Sequence, residues 1–343
     1  MQIGIVGLPN VGKSTLFNAL TNLNVPAENY PFTTIEPNIG IVTLPDERLE
    51  TIGKIFQPEK LTYSFVKFVD IAGLVEGASK GLGLGNKFLS HIREVDAIIQ
   101  VVGVFSKTMS PQKEIEIVET ELILADLEQA LKIKEKLKGP AHSGDKESQN
   151  KLKIIEEIIE KLNQGESLGP EYSLQEYNFL TTKPVIYVLN VNDSTDKQII
   201  TEAENFIKTK KGCKSIVLDA KLEFELSRLG NEEKEKFKKE LGITSRIDEL
   251  IKISHQVLGL IIFYTVVGKE IRAWSIPQGS NVKKAAGKIH SDFEKGFICA
   301  EVYSYNDLIE CKSEKAVRDK GLIRTEGKDY IVKDGDIIYV KFH

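Results

Sequence analysis

The chain has 343 residues, is 41% hydrophobic and sets 46 Lys and Arg against 50 Asp and Glu, a net charge of −4. That composition excludes disordered and collagen-like classes, and that charge gives no global basic field to draw the chain to a membrane or to nucleic acid; no membrane and no sequence-specific DNA are expected as partners. At about 150 residues per domain, two or three domains are expected.

The N-terminal MQIGIVGLPN has no basic flank and reads as a buried strand, not a signal peptide. Strands are expected at 3–7, 39–44, 65–70 and 97–102, then again at 184–190 and 215–218. Several are apolar on both faces, as in a mainly parallel sheet between helices. From 113 to 162 the chain is charged and helical, broken by KGPAHSGDKES. Leu124, Leu127 and Leu131 before the break, and Leu152, Ile155, Ile159 and Leu162 after it, recur at helical spacing. Two antiparallel helices joined by a polar loop account for this. After an amphipathic helix near 245–258, β segments are expected at 261–267 and 270–276 and a helix at 282–290. A hairpin is expected to join 330–332 to 337–342 about Lys-Asp-Gly-Asp. The longest uncharged apolar run, 258–268, is far short of the about 20 residues that cross a bilayer. Cys213, Cys299 and Cys311 form no CxxC pair, which fits a reducing cytoplasm.

GLPNVGKS, from Gly7 to Ser14, matches GxxxxGK[ST] directly after the first strand and at the start of a helix. Glycines let successive backbone N–H groups turn inward, Lys13 reaches the β- and γ-phosphates, and the Ser14 hydroxyl binds Mg²⁺. Asn10, Val11, Gly12, Lys13, Ser14 and Thr15 are therefore the phosphate-binding candidates. DIAGL places Asp70 at a strand tip, where it can hold Mg²⁺ through water, and the Gly73 N–H where it can touch a γ-phosphate. In NYPFTTIEPN, Thr34 is the candidate that completes the metal shell. A glycine-rich loop, 75–85, follows and could order around the γ-phosphate; its GxGxG follows no fresh strand and is not a dinucleotide fingerprint. Leu74 stands where many GTPases place Gln, and an apolar side chain cannot orient a water. His91 reads as a surface or packing residue.

Asn190-Val191-Asn192-Asp193 and Asp219-Ala220-Lys221 end two later strands, where NKxD and SAK loops read a base. Asp193 supplies the carboxylate that accepts from guanine, but Val191 replaces the Lys. These residues leave ATP and GTP both open.

With the P-loop, YPFTT, DIAGL, GLGNKFLSHI, NxxD, AGKIHSDFEKGF and DYIVKDGD in this order, the chain resembles the YchF/Obg-like ATPase family over essentially its whole length. The resemblance implies an α/β P-loop NTPase G domain with an inserted helical hairpin and a C-terminal β-grasp (TGS) domain. The boundaries are 1–111 and 179–258 for the G domain, 112–178 for the insertion and 259–343 for the TGS domain. It implies Mg²⁺-dependent hydrolysis with ATP preferred over GTP, ATP and ADP as ligands, and a ribosome or ribosomal RNA as partner. Asn10 matches a position that coordinates K⁺ in some relatives. Relatives often carry Glu where this chain has Asp193, Ser where it has Asp219, and a His in the loop that here reads FSKTMSP. The alternatives are a GTPase, favoured by Asp193, and a nucleotide-sensing module without significant turnover, favoured by Leu74. Seven lysines, Lys132, Lys134, Lys136, Lys138, Lys146, Lys151 and Lys153, crowd the hairpin tip and could grip RNA phosphates.

Overall fold

The computed structural model describes residues 1–22, 38–71, 84–105, 109–174, 176–210 and 212–343, with backbone alone at 84–87, 231 and 241. The first elements are β1 (Gln2–Val6), α1 (Lys13–Thr21), β2 (Ile39–Thr43), α2 (Glu47–Phe56), β3 (Lys60–Thr62), β4 (Phe65–Asp70), α3 (Leu84–Glu94) and β5 (Ala97–Gly103). There follow α4 (Pro111–His142), α5 (Lys146–Asn163), β6 (Val185–Asn190), α6 (Lys197–Lys208), β7 (Lys214–Leu218), α7 (Ala220–Ser227), α8 (Asn231–Leu241) and α9 (Ile247–Val257). The chain closes with β8 (Leu260–Val267), β9 (Glu270–Pro277), α10 (Val282–Ile289), α11 (Ser291–Lys295), β10 (Phe297–Ser304), α12 (Tyr305–Cys311), α13 (Glu314–Asp319), β11 (Arg324–Glu326) and β12 (Asp336–Phe342).

One sheet has the order β2-β4-β1-β5-β6-β7. Its β1–β4, β1–β5, β5–β6 and β6–β7 pairs are all parallel. β5 is buried at all seven residues, which is why its sequence reads as an unbroken apolar run. Parallel register brings the carboxyl ends of the strands to one edge, with Ile5 opposite Asp70 and Gly103 opposite Asn190. Everything that follows these strands is thereby gathered at that edge.

The helical hairpin forms, but its break is shorter than expected. α4 runs through Gly139 and Pro140 to His142, and only Ser143–Asp145 separate it from α5. Pro140 falls in the last turn, where it removes one backbone bond and the helix ends two residues later. Gly144 turns at φ +90°, and the Asp145 carboxylate caps α5 by accepting from Glu147 N and Ser148 N. Leu124 and Leu131 are exposed rather than packed. The hairpin core on α4 is Ile123, Ala130 and Ile133 with the expected Leu127 packed beside them, against Ile158 and the expected Ile155, Ile159 and Leu162. The leucine spacing misleads because α4 has two seats. Its first half (Val118, Leu122, Ala125) packs with Ile98 and Leu180, which turns the face seen by α5. Asp126, fully buried, accepts from Leu180 N, Thr181 N and Thr181 Oγ1 and pins the returning chain.

Compactness divides the chain otherwise than motif boundaries suggest. Described residues 41–66 belong with 248–343, and 1–22, 38–40 and those within 67–247 form the other unit. The second unit contains a sheet ordered β11-β10-β12-β8-β9-β3, with β8–β9 and β10–β12 antiparallel and β12–β8 parallel. α10 packs Val282, Ala285 and Ala286 against Phe263, Ile276, Ala300 and Val302, the β-grasp arrangement. The expected hairpin between 330–332 and 337–342 does not form. Ile331 makes only an isolated bridge with Asn281, and β12 pairs with β10 and β8. Lys-Asp-Gly-Asp does turn, Asp336 N donating to Lys333 O at 3.1 Å, but it is tied to β8: Gly335 N donates to Ile262 O, and Asp334 Oδ1 accepts from Ile262 N at 2.8 Å.

Segment 41–66 is fastened to this unit by polar contacts. Asp46 caps α2 through Arg48 N and accepts from Tyr264 Oη at 2.6 Å, and Arg48 grips Asp334 with both guanidinium nitrogens. β3 pairs with β9, and Ser64 Oγ lies 2.6 Å from Ser275 Oγ, which is 2.8 Å from His255 Nε2. Burial lowers the His255 pKa to about 4, against partial opposition from Asp334 and Asp46 and with help from Arg48. The unfolded chain therefore takes up this proton first, near pH 6.5. The stabilisation is complete above that pH and is lost as pH falls toward 4, a difference of about 3 kcal/mol. Denaturant unfolding at pH 7 and pH 4.5 should show this loss in the native protein, with a clearly smaller loss in His255→Gln.

Candidate nucleotide site

The loop after β1 holds a conformation its residues alone permit. Gly7 and Gly12 stand at φ +150° and +100°, and Asn10 at φ 64°, a region Asn tolerates better than most residues. A Cβ at Gly12 would lie 2.3 Å from Asn190 Nδ2, and one at Gly7 2.5 Å from the Val101 carbonyl oxygen. Larger residues at these two points would push the loop off the sheet edge. α1 begins at Lys13 with no side-chain cap, so its first N–H groups remain available to an anion.

Lys13 is nearly buried, and its ammonium donates to the Leu8 carbonyl oxygen at 2.7 Å. Burial pushes its pKa down, while the Asp70 carboxylate pulls it back up. Ser14 Oγ donates to Asp70 Oδ2 at 3.2 Å, which brings together two hard oxygen ligands, one from the first turn of α1 and one from the end of β4. That donor chemistry suits Mg²⁺, which takes carboxylate, hydroxyl and water oxygens. Val11 is buried, Thr15 half-buried and Asn10 exposed. Thr34, Gly73, Leu74, the 75–83 portion of the glycine-rich loop and 106–108 lie outside the described residues. His91 is exposed.

Asn190 is the strut of the site. Buried at the end of β6, it donates from Nδ2 to the Val11 carbonyl oxygen at 2.8 Å and accepts at Oδ1 from Ala220 N at 2.9 Å. One side chain thus ties the phosphate loop to the loop after β7. Asp219 caps α7, accepting from Lys221 N and Leu222 N at 2.9 and 3.0 Å. Ser and Asp are interchangeable as caps, so Asp219 does the backbone work of a Ser at this point. Val191 is half-buried against the β6–α6 core, and its N–H bonds to Leu218 O. Asn192 Oδ1 accepts from Ser194 N, holding the turn in which Asp193 is exposed with no hydrogen bond among the described residues.

Glu114 is a support that motif reading passes over. Buried on α4, its carboxylate accepts from Gly103 N at 2.9 Å, and Gly103 packs on Val11. Its sequence signal, a Glu beside an apolar run near a helix start, does not stand out in a charged segment.

Asn190→Ala would leave a buried carbonyl and a buried amide unpaired, at about 1–3 kcal/mol each. Thermal unfolding should register this destabilisation. Nucleotide affinity measured well below the melting temperature should fall by about tenfold or more. Unchanged affinity would remove Asn190 from the site.

Family models match both ends of the chain. Residues 260–343 match YchF-GTPase_C, described as a protein of unknown function, and residues 2–138 match 50S ribosome-binding GTPase. The chain is 43% identical to "Ribosome-binding ATPase YchF" of Haemophilus ducreyi over 359 aligned residues, covering 100% of this chain and 99% of that protein. It is 42% identical to the protein of the same name from Escherichia coli O157:H7, at the same coverage. The solved structure of the Schizosaccharomyces pombe YchF GTPase is 33% identical and superposes with a TM-score of 0.89, over 99% of this chain and 97% of that one. Likeness of this extent, through sheet, hairpin and C-terminal unit alike, leaves no segment to a different ancestry: the chain belongs to the YchF family.

Proposed function

We propose that the chain is an Mg²⁺-dependent nucleoside triphosphatase that hydrolyses ATP in preference to GTP, and that its nucleotide state regulates docking to the ribosome. The observation that carries this reading is the phosphate loop held open at the sheet edge by Asn190, with Lys13, Ser14 and Asp70 converging beside it. The ATP and ribosome assignments rest on full-length likeness to proteins named ribosome-binding ATPases.

In this reading the amides of Val11, Gly12, Lys13, Ser14 and Thr15 hold phosphate oxygens, and Lys13 neutralises charge that develops as the γ-phosphoryl leaves. Ser14, Thr34 and Asp70, the last through water, would hold Mg²⁺, and the ion would supply further positive charge against the triphosphate. Gly73 offers an amide to the γ-phosphate. Leu74 orients nothing, so the attacking water is placed by backbone, another side chain, a partner, or K⁺ held at Asn10. Asn190, Val191, Asp193, Asp219 and Ala220 frame the base. With Val191 in place of Lys, no long stem stacks on the ring, which loosens selection for guanine. The Asp193 carboxylate, exposed and without a hydrogen bond among the described residues, favours a second reading, GTP hydrolysis by the same machinery.

At the hairpin tip the lysines are partly spoken for. Lys132 pairs with Glu128, Lys134 with Glu156, Lys138 with Glu135 and Lys151 with Glu147 and Glu176. Lys136, Lys146 and Lys153 make no ion pair among the described residues and are the better candidates for RNA phosphates. No described helix is long and apolar enough to cross a membrane.

Three outcomes test the reading. Lys13→Ala should lower turnover about 100-fold or more, and full-rate hydrolysis by that variant would contradict the assigned site. In side-by-side titrations, the adenine nucleotides should bind more tightly than GDP and GTP. Asp193→Asn should weaken the guanine pair about tenfold while leaving the adenine pair within about twofold.

A further inference from the structure

Glu114 stands in the first turn of α4, is only 5% exposed, and is held at two points. Its carbonyl oxygen accepts from Nε2 of Gln100, itself buried within β5, at 3.3 Å, and its carboxylate accepts from Gly103 N at 2.9 Å. The end of β5 gripped in this way is the seat of the phosphate loop. A Cβ on Gly7 would stand 2.5 Å from the Val101 carbonyl oxygen, and one on Gly103 would touch Val11 at 3.4 Å. Close-packed contacts transmit displacement, so any shift at the end of β5 is passed to both ends of the loop. Burying a carboxylate is costly where stability alone is at stake, and what this one gains is position.

The same helix reaches the hairpin tip. Lys136 lies about 33 Å beyond Glu114 along unbroken α4, at about 1.5 Å per residue. Between the two, α4 rests on a firm seat. Val118, Leu122 and Ala125 pack with Phe88, Leu89 and Ile92 of α3, and the Asp126 carboxylate accepts from Leu180 N and Thr181 N. A stiff rod held between its ends turns as a lever. Load on the tip moves Glu114 the other way, and its carboxylate carries the movement to Gly103.

We propose that Glu114 is a positioning residue for triphosphate hydrolysis, and the link through which nucleotide at the phosphate loop and RNA docked at the hairpin tip act on each other. Such a coupling is reciprocal, as thermodynamics requires for two ligands on one chain. It rests on the function proposed above and names the residue that carries the regulation.

The test uses the full-length chain and two readouts: steady-state ATP hydrolysis, and affinity for purified ribosomes with either ADP or a non-hydrolysable ATP analogue bound. In the native chain the two affinities should differ about fivefold or more. Glu114→Ala should lower kcat about tenfold with KM within about twofold, and should bring the two ribosome affinities within about twofold of each other. Glu114→Gln keeps an acceptor oxygen at the same reach and should restore most of both. All are measured well below each variant's melting temperature, where a merely less stable fold would leave them unchanged. Glu114→Leu, which fills the space without an acceptor, repeats the test should the alanine variant fold poorly. A native kcat in the variants lacking the acceptor, or an affinity difference that survives in them, would overturn the proposal. Equal ribosome affinities in the native chain would overturn nucleotide-regulated docking itself, and this link with it.

Discussion

The site depends on a single side-chain amide bonded in two directions. A phosphate loop is a run of backbone N–H groups turned the same way, and nothing in its own few residues keeps it in that shape. Here the Asn190 carboxamide supplies the restraint, bonding to Val11 O on one side and Ala220 N on the other. Gly12 is the consequence, since any Cβ there would occupy the space of the Asn190 nitrogen. β6 in turn places Asn190 opposite Gly103, where the buried Glu114 carboxylate holds the end of β5. Preorganisation of this kind lets the amides meet a triphosphate without reorganising, which is where much of the catalytic benefit of such sites resides.

Much of this was legible in residues close together in the chain. GLPNVGKS between a strand and a helix, Asp70 at a strand tip, and the two loops at 190–193 and 219–221 all carry their chemistry locally, and parallel topology does the rest. Asp219 differs from the usual Ser in type but not in role, since it caps α7 as Ser would. Val191 and Asp193 are a different case: the structure explains how each is held, but base preference is a balance between a lost stacking stem and a retained carboxylate.

What could not be read locally is long-range. β3 is three residues long and finds its partner in β9, more than 200 residues away. The attachment of 41–66 to the C-terminal unit runs through Asp46, Arg48 and Ser64, whose partners Tyr264, Asp334 and Ser275 are equally distant. Lys-Asp-Gly-Asp does turn, with Asp336 N on Lys333 O, yet Asp334 is spent on Arg48 and Ile262 and no strands pair across the turn. The hairpin helices show the same limit: the leucines of α4 are regular, but a helix that packs on two partners need not bury its most regular stripe.

The most direct measurement is a crystal structure of the chain with Mg²⁺ and a non-hydrolysable ATP analogue. The account predicts phosphate oxygens within about 3.2 Å of the Gly12, Lys13 and Ser14 amides and of the Lys13 ammonium. It also predicts Ser14 in the metal's coordination shell and Asn190 still bonded to Val11. A nucleotide bound elsewhere, with the loop at residues 7–14 untouched, would contradict it.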